Sequence, residues 1–200
     1  MRNVYLTLFV AAFSSVFLSW SGALSVHAGQ LEAAIKALET DGRVILMRHT
    51  QTTPGAGDPD GFKLEECATQ RNLNDEGIEQ ARRFGRALKA AGIHIAHVLV
   101  SEWCRADDTA RYVLEAAGQA ETPRTRFWPL NNVWDDDSRV NEQTAKTRAQ
   151  IARWRGPGAL LMVSHGVTIR PVVGQSTSQG GFFVLAPSDD TFKIIAEGRL

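Results

Sequence analysis

Three short apolar runs, each ending in arginine or histidine, constrain this chain more than any other feature. Val44-Ile45-Leu46-Met47 leads into Arg48 and His49. Val98-Leu99-Val100 leads into Ser101, with Arg105 close behind. Leu160-Leu161-Met162-Val163 leads into Ser164, His165 and Gly166. Runs of this length, rich in aliphatic residues, read as strands buried in the middle of a sheet. In an open parallel sheet, ligands collect beyond the carboxyl ends of the strands. Three such ends carrying fixed cations and imidazoles point to one pocket for an anion.

The segments between these runs alternate with them. Leu31, Ala34, Ile35 and Leu38 fall at helical spacing, and Gly42 breaks that helix before the first strand. Residues 50–70 read as a long loop punctuated by Pro54, Gly55, Gly57, Pro59 and Gly61, a candidate lid or substrate-contacting wall. Asn74 is placed to cap a helix that runs to about Ala91, with Asp75 and Glu76 in its first turn. His94 and His97 alternate with apolar residues and read as edge positions.

A second helix is expected from Arg105 to about Ala117, a short strand over Thr125–Leu130, a polar acidic loop over Asn131–Val140, and a third helix over Glu142–Trp154. A short helix after Gly166 is expected to end or kink near Pro171. Phe182–Ala186 and Thr191–Ala196 read as two strands joined by a turn over Pro187–Asp190. Strands alternating with helices give an α/β sandwich with a mostly parallel sheet.

Residues 1–28 differ from the rest. Arg2 is the sole charge before Glu32, an apolar stretch follows, and Val26-His27-Ala28 fits a small-x-small cleavage site. These are the parts of a secretory signal peptide, which makes 29–200 the mature domain and the periplasm or the cell exterior its location. Contact with a membrane is then expected only through an uncleaved signal. Export favours pairing of the two cysteines, Cys67 and Cys104, and such a bond would pin the Cys67 loop near the pocket. The formal net charge of zero argues against a nucleic-acid surface, which needs a basic excess.

The pocket residues suit phosphoryl chemistry. A phosphate monoester carries about two negative charges near neutral pH. The planar fork of arginine matches it in charge and geometry, so Arg48 and Arg105 are the candidate binders. A neutral histidine can attack phosphorus and form a covalent intermediate; His49 is placed for that role, and His165 for stabilising the transferring oxygens. Metal ligation by the two histidines is the competing reading. Neither has a carboxylate or cysteine at ligand spacing, and the arginines would repel a cation. No metal or other cofactor is expected.

Four segments together resemble the histidine phosphatase superfamily, also called phosphoglycerate-mutase-like: Arg48-His49-Thr50 after a strand, Asn72-Leu73-Asn74 with Gly77 and Gln80-Ala81, Ser101 with Arg105-Ala106 and Thr109-Ala110, and Ser164-His165-Gly166. The likeness runs from Val44 to about Val173. It implies a three-layer α/β/α fold, a phosphohistidine at His49, and a phosphate pocket of Arg48, Arg105 and His165 without a metal. Thr50, Arg71, Ser101 and Gly166 are the further candidate substrate contacts. The chain departs from the family at the general acid. One branch places a glutamate two positions after a leucine, where Leu130 is here followed by Asn131 and Asn132. Another places an aspartate after the second histidine, where this chain has Gly166. Asp135 in the nearby acidic loop is the substitute candidate.

The expected function is an exported phosphatase acting on a small phosphorylated substrate. Small family members with export signals resemble phosphatases of lipopolysaccharide-core heptose phosphate, which suggests a phosphorylated sugar. The alternative is a phosphate-binding module without turnover, prompted by the missing acid. The sequence leaves the oligomeric state open.

Overall fold

The computed structural model describes residues 29–133 and 137–200. The signal sequence read over 1–28, and Trp134 and Asp135 in the acidic loop, lie outside them.

Among the described residues six strands form one sheet in the order β3-β2-β4-β1-β5-β6. They are β1 (Val44–Arg48), β2 (Ile95–Val100), β3 (Arg124–Arg126), β4 (Ala159–Ser164), β5 (Phe182–Ser188) and β6 (Thr191–Gly198). Strands β1 to β4 are mutually parallel; β5 runs antiparallel to β1, and β6 antiparallel to β5. The expected mostly parallel α/β sheet is present.

The helices are α1 (residues 29–37), α2 (Asp75–Ala90), α3 (Cys104–Ala117), α4 (Val140–Arg153) and α5 (Gly166–Val173). The alternation of β1 decides which helices cover which face. Ile45 and Met47 pack with Ala34 of α1, Phe84 and Leu88 of α2, and Val113 and Leu114 of α3. Val44 and Leu46 point the other way, against Ile151 of α4 and Ile169 and Val172 of α5. The result is three layers, α/β/α.

Helix α2 begins as its sequence demands, with the Asn74 side chain accepting a hydrogen bond from the Gly77 backbone N–H at 2.8 Å. Gly77 also admits the chain leaving β1, since a Cβ there would lie 1.9 Å from the Gln51 carbonyl oxygen.

Several boundaries differ from the sequence reading for identifiable reasons. The strand expected over Thr125–Leu130 stops at Arg126 and becomes a 3-10 turn over Trp128–Leu130. Pro129 cannot donate to a sheet ladder but suits the first turn of a helix. Helix α4 starts at Val140, two residues earlier than expected. Helix α5 runs past Pro171 to Val173 and stops at Gly174, whose φ is 76°. The burial of Ile169 and Val172 holds it through the proline. Strand β5 takes in Pro187 and Ser188, leaving a two-residue turn at Asp189-Asp190. Pro187 is tolerated because the pairing with β1 ends at Leu185, so one side of the strand is open there.

Among the described residues no helix is long and apolar enough to cross a membrane.

Candidate active site

The register of three adjacent parallel strands assembles the site. Arg48 stands opposite Ser164 in the β1–β4 pair, and the His49 N–H donates to the Ser164 carbonyl at 3.0 Å. The residues that follow, His49 and His165, therefore emerge side by side, with ring centroids 5.3 Å apart. On the other side of β4, the Ser101 N–H donates to the Val163 carbonyl at 3.0 Å, which sets Ser101 beside Ser164 and within reach of His165.

A cavity of about 450 Å³ opens above these strand ends. Its wall includes Arg48, His49, Arg71, Arg105, His165 and Gly166, with Gly55, Ala56 and Gly57 contributed by the long loop. The wall-forming part of the loop expectation is therefore present. Asn132, Arg170 and Thr177 also line it.

His49 is 2% exposed and His165 3% exposed. The Nδ1 of His49 lies 2.9 Å from the Thr50 carbonyl oxygen. A carbonyl can only accept, so Nδ1 carries the proton and the Nε2 lone pair is left for attack. Burial, aided by the charges of Arg105, Arg48 and Arg71, lowers the His49 pKa to about 3, overcoming the opposing hydrogen bond to Thr50. The same burial, with the neighbouring His49 and the three arginines, holds His165 well below the ordinary histidine range. Both imidazoles are neutral near pH 7 in the unliganded chain.

The Nε2 of His165 is 2.8 Å from Ser101 Oγ, and its buried Nδ1 has no partner among the described residues. The buried Nε atoms of Arg48, Arg71 and Arg105 likewise lack partners. Among the described residues, three arginines with an unpaired Nε and an imidazole nitrogen thus meet at one cavity, and the three positive charges suit it to an oxyanion.

Arg48 is fixed by donating to the Thr177 carbonyl at 2.9 Å. Gly166 gives it room, since a Cβ there would lie 2.9 Å from Arg48 Nη1. Arg71 donates to Thr52 Oγ1 at 2.8 Å and to the Gly55 carbonyl at 2.9 Å, so it braces the loop as well as facing the cavity.

Two expected substrate contacts are placed elsewhere. Thr50 is fully buried, with its hydroxyl 3.2 Å from Thr109 Oγ1, and only its carbonyl serves the site, by orienting His49. Ser101 is fully buried behind His165. Neither lines the cavity: Thr50 turns inward onto Thr109 of α3, and Ser101 is covered by His165.

The sequence reading missed Asp58 and Trp103. Asp58 accepts from Arg105 Nη1 at 2.6 Å and Nη2 at 3.1 Å, and from the Trp103 indole at 3.0 Å. The Trp103 ring meets His165 edge-on at 5.4 Å between centroids. Asp58 sits in a loop full of turn residues, where an aspartate carries no signal of its own. A disulfide joins Cys67 to Cys104 and fastens that loop to the start of α3. Asn131 accepts from the Glu102 N–H at 2.9 Å and donates to its carboxylate at 2.6 Å. Asp135, the proposed acid, lies outside the described residues. Among the described residues no three His, Cys, Asp or Glu side chains converge to hold a metal.

Comparison with known proteins agrees with this geometry. Residues 44–127 match the histidine phosphatase superfamily (branch 1). The chain is 43% identical over 131 residues to a 2,3-bisphosphoglycerate-dependent phosphoglycerate mutase of Caulobacter sp. (strain K31), an alignment covering 64% of this chain and 50% of the relative. The chain spans half or less of the length of the first curated relatives it matches. In structure it resembles the protein histidine phosphatase SixA complexed with tungstate, at a TM-score of 0.56 and 19% identity, over 78% of this chain and 96% of that one. It also resembles the phosphoglycerate mutase of Bacillus anthracis str. Sterne, at a TM-score of 0.56 and 15% identity, over 82% and 96%. The family match over residues 44–127, which hold Arg48, His49, Arg71 and Arg105, and the curated relatives support the resemblance of this chain to the histidine phosphatase superfamily.

Proposed function

We propose that this chain is an exported phosphatase that hydrolyses a phosphomonoester, with a phosphorylated sugar as its substrate class, through a phosphohistidine at His49. The observation that carries this reading is the His49 ring: its Nδ1 proton is committed to the Thr50 carbonyl, and its neutral Nε2 stands among Arg48, Arg71 and Arg105. In the first step Nε2 forms a bond to phosphorus as the P–O bond to the leaving group breaks. The arginines, with His165 in its protonated form, hold the equatorial oxygens as charge builds on them. The leaving oxygen takes a proton, and Asp135 is the proposed donor. In the second step water attacks phosphorus while giving a proton back to Asp135, and the N–P bond breaks, releasing phosphate and neutral His49.

Location outside the cytoplasm is supported by the apolar N-terminal run and by the Cys67–Cys104 bond, since disulfides persist in oxidising compartments. An exported enzyme would not meet the cytosolic sugar phosphates of a mutase, so water is the proposed acceptor.

A second reading, phosphate binding without turnover, is favoured by one feature. Asn132 lines the cavity where the family places its glutamate, and an amide donates no proton of catalytic use.

One experiment separates the two readings. The purified protein is mixed with p-nitrophenyl phosphate, with and without chelator, then quenched and analysed for an acid-labile adduct of about 80 Da on His49, the mass of one phosphoryl group. The phosphatase reading expects the adduct and chelator-insensitive turnover, both abolished in His49→Ala. A folded protein that binds phosphate but forms no adduct and releases no nitrophenol establishes the binding module instead.

A further inference from the structure

Arg105 is 1% exposed, and its guanidinium meets Asp58, whose side chain is 4% exposed, end-on through both Nη atoms. That leaves the side edge, Nε with the second hydrogen of Nη2, as the remaining face for a ligand, and Nε is buried without a partner among the described residues. The carboxylate is fully engaged. Besides Arg105, its Oδ1 accepts from the Arg71 backbone N–H at 2.9 Å and its Oδ2 from the Trp103 indole at 3.0 Å. Although burial alone would raise its pKa, these donors hold Asp58 below the ordinary carboxylate range, so it stays ionised and is no proton donor.

We infer that Asp58 is a positioning residue: it fixes the plane of Arg105 in the cavity wall, and through Trp103 it also fixes the ring against which His165 rests. The inference rests on the phosphate-binding reading of this cavity. One carboxylate thus sets two of the groups that would hold the transferring phosphoryl. The loop is built to present it. Arg71 N–H clasps Asp58 across the base of the loop, Phe62 packs on Trp103 at 6.0 Å between centroids, Gln70 Oε1 accepts from the Cys104 N–H at 3.0 Å, and the Cys67–Cys104 bond closes the far end.

Two effects of removing the carboxylate oppose each other. A negative charge near the anion disappears, which favours binding. An arginine that was held in one rotamer becomes free and must be ordered again when phosphate binds, which disfavours it. The bidentate, buried geometry makes the second effect the larger here, because the carboxylate's charge is already spent on the guanidinium between it and the ligand.

The test is a double-mutant cycle read by calorimetric binding of inorganic phosphate to the purified protein, Asp58→Asn, Arg105→Met and the double variant. Asp58→Asn is expected to weaken phosphate binding about tenfold, and Arg105→Met about a hundredfold. The double variant is expected to match Arg105→Met within about twofold, because Asp58 acts through Arg105. A merely structural aspartate would give effects that multiply, and that result overturns the inference, as does unchanged or tighter binding in Asp58→Asn. Should Asp58→Asn fail to fold, Asp58→Glu keeps the charge while displacing the guanidinium by one methylene. It is expected to weaken binding several-fold, and unaltered affinity overturns the inference. Absence of phosphate binding by the unaltered protein would overturn the functional reading and this inference with it; normal binding there, with no effect at Asp58, would overturn this inference alone.

Discussion

The imidazoles of His49 and His165 meet edge to face, 5.3 Å between centroids and 61° between planes, with each ring almost fully buried. Burial of both rings, aided by the three arginines and, at His165, by the neighbouring His49, keeps both neutral in the folded chain. That makes acid a denaturant through a defined route. The unfolded chain binds two protons that the folded chain refuses, so stability is complete above the ordinary histidine value of about 6.5 and falls as pH drops toward the folded values. The loss reaches up to about 1.4 kcal/mol per pH unit for each histidine. Thermal unfolding midpoints should be flat from about pH 8 to pH 7 and decline steadily toward pH 4.5. Asp58 contributes with the same sign, but only further into acid. Saturating phosphate should flatten the decline, because the bound anion favours the protonated rings. A midpoint indifferent to pH across this range would mean the histidines are not held neutral.

Two glycines should respond differently to one added methyl group. At Gly166 the new Cβ would meet the end of the flexible Arg48 side chain at 2.9 Å. The guanidinium can yield, losing its bond to the Thr177 carbonyl. Gly166→Ala should therefore fold with a midpoint within about 3 °C of the parent while phosphate affinity falls about tenfold. At Gly77 the Cβ would lie 1.9 Å from the Gln51 carbonyl oxygen, which is backbone and cannot step aside. Gly77→Ala should cost about 2–4 kcal/mol and lower the midpoint by about 5–15 °C. Parallel melting curves and phosphate titrations decide both.

What the sequence reveals and what it hides divide along a physical line. Residues whose place follows from strand register were legible: once Val44–Met47 and Leu160–Val163 are neighbouring parallel strands, His49 and His165 must emerge together. The cap at Asn74 and the end of α3 at Ala117, where Gly118 takes a φ of 72°, are local and were equally plain. Asp58 was not legible, because its role exists only after a loop folds back to meet Arg105, 47 residues away. Ser101 and Thr50 were read one layer too far forward, since sequence gives adjacency to a site but not depth within it. The run of α5 past Pro171 was hidden for a similar reason, as tertiary burial of Val172 offsets a local penalty.

The disulfide should matter for stability and for the site together. Cys67 and Cys104 close a span of 37 residues, for which chain entropy gives about 4 kcal/mol of stabilisation. Replacing both by serine should lower the unfolding midpoint by about 8–15 °C. The loop that presents Asp58 would also loosen, so phosphate affinity should fall several-fold at temperatures where the variant remains folded. Reductant added to the parent protein should reproduce both changes. A variant that melts lower but binds phosphate as the parent does would confine the bond to a structural part.

The proton donor is the sharpest question left by the cavity wall. Asn132 stands in it as an amide, and the carboxylate of Asp58 is saturated by four donors. If Asp135 supplies the proton, its removal should be felt in proportion to the basicity of the leaving group. A p-nitrophenolate departs without help, whereas the alkoxide of a sugar cannot. Asp135→Asn should therefore lower kcat/KM on an alkyl phosphate by about a hundredfold or more while changing p-nitrophenyl phosphate turnover by less than about threefold. Asn132→Glu in that background should recover part of the alkyl phosphate activity, since it returns a carboxyl group to the cavity wall. Measuring kcat/KM over a series of leaving groups gives the answer as a slope. A slope already steep in the parent and unmoved by Asp135→Asn would mean that no side chain donates the proton, and that the natural substrate carries a leaving group, such as the nitrogen of a phosphoramidate or the oxygen of an acyl phosphate, that needs little acid help.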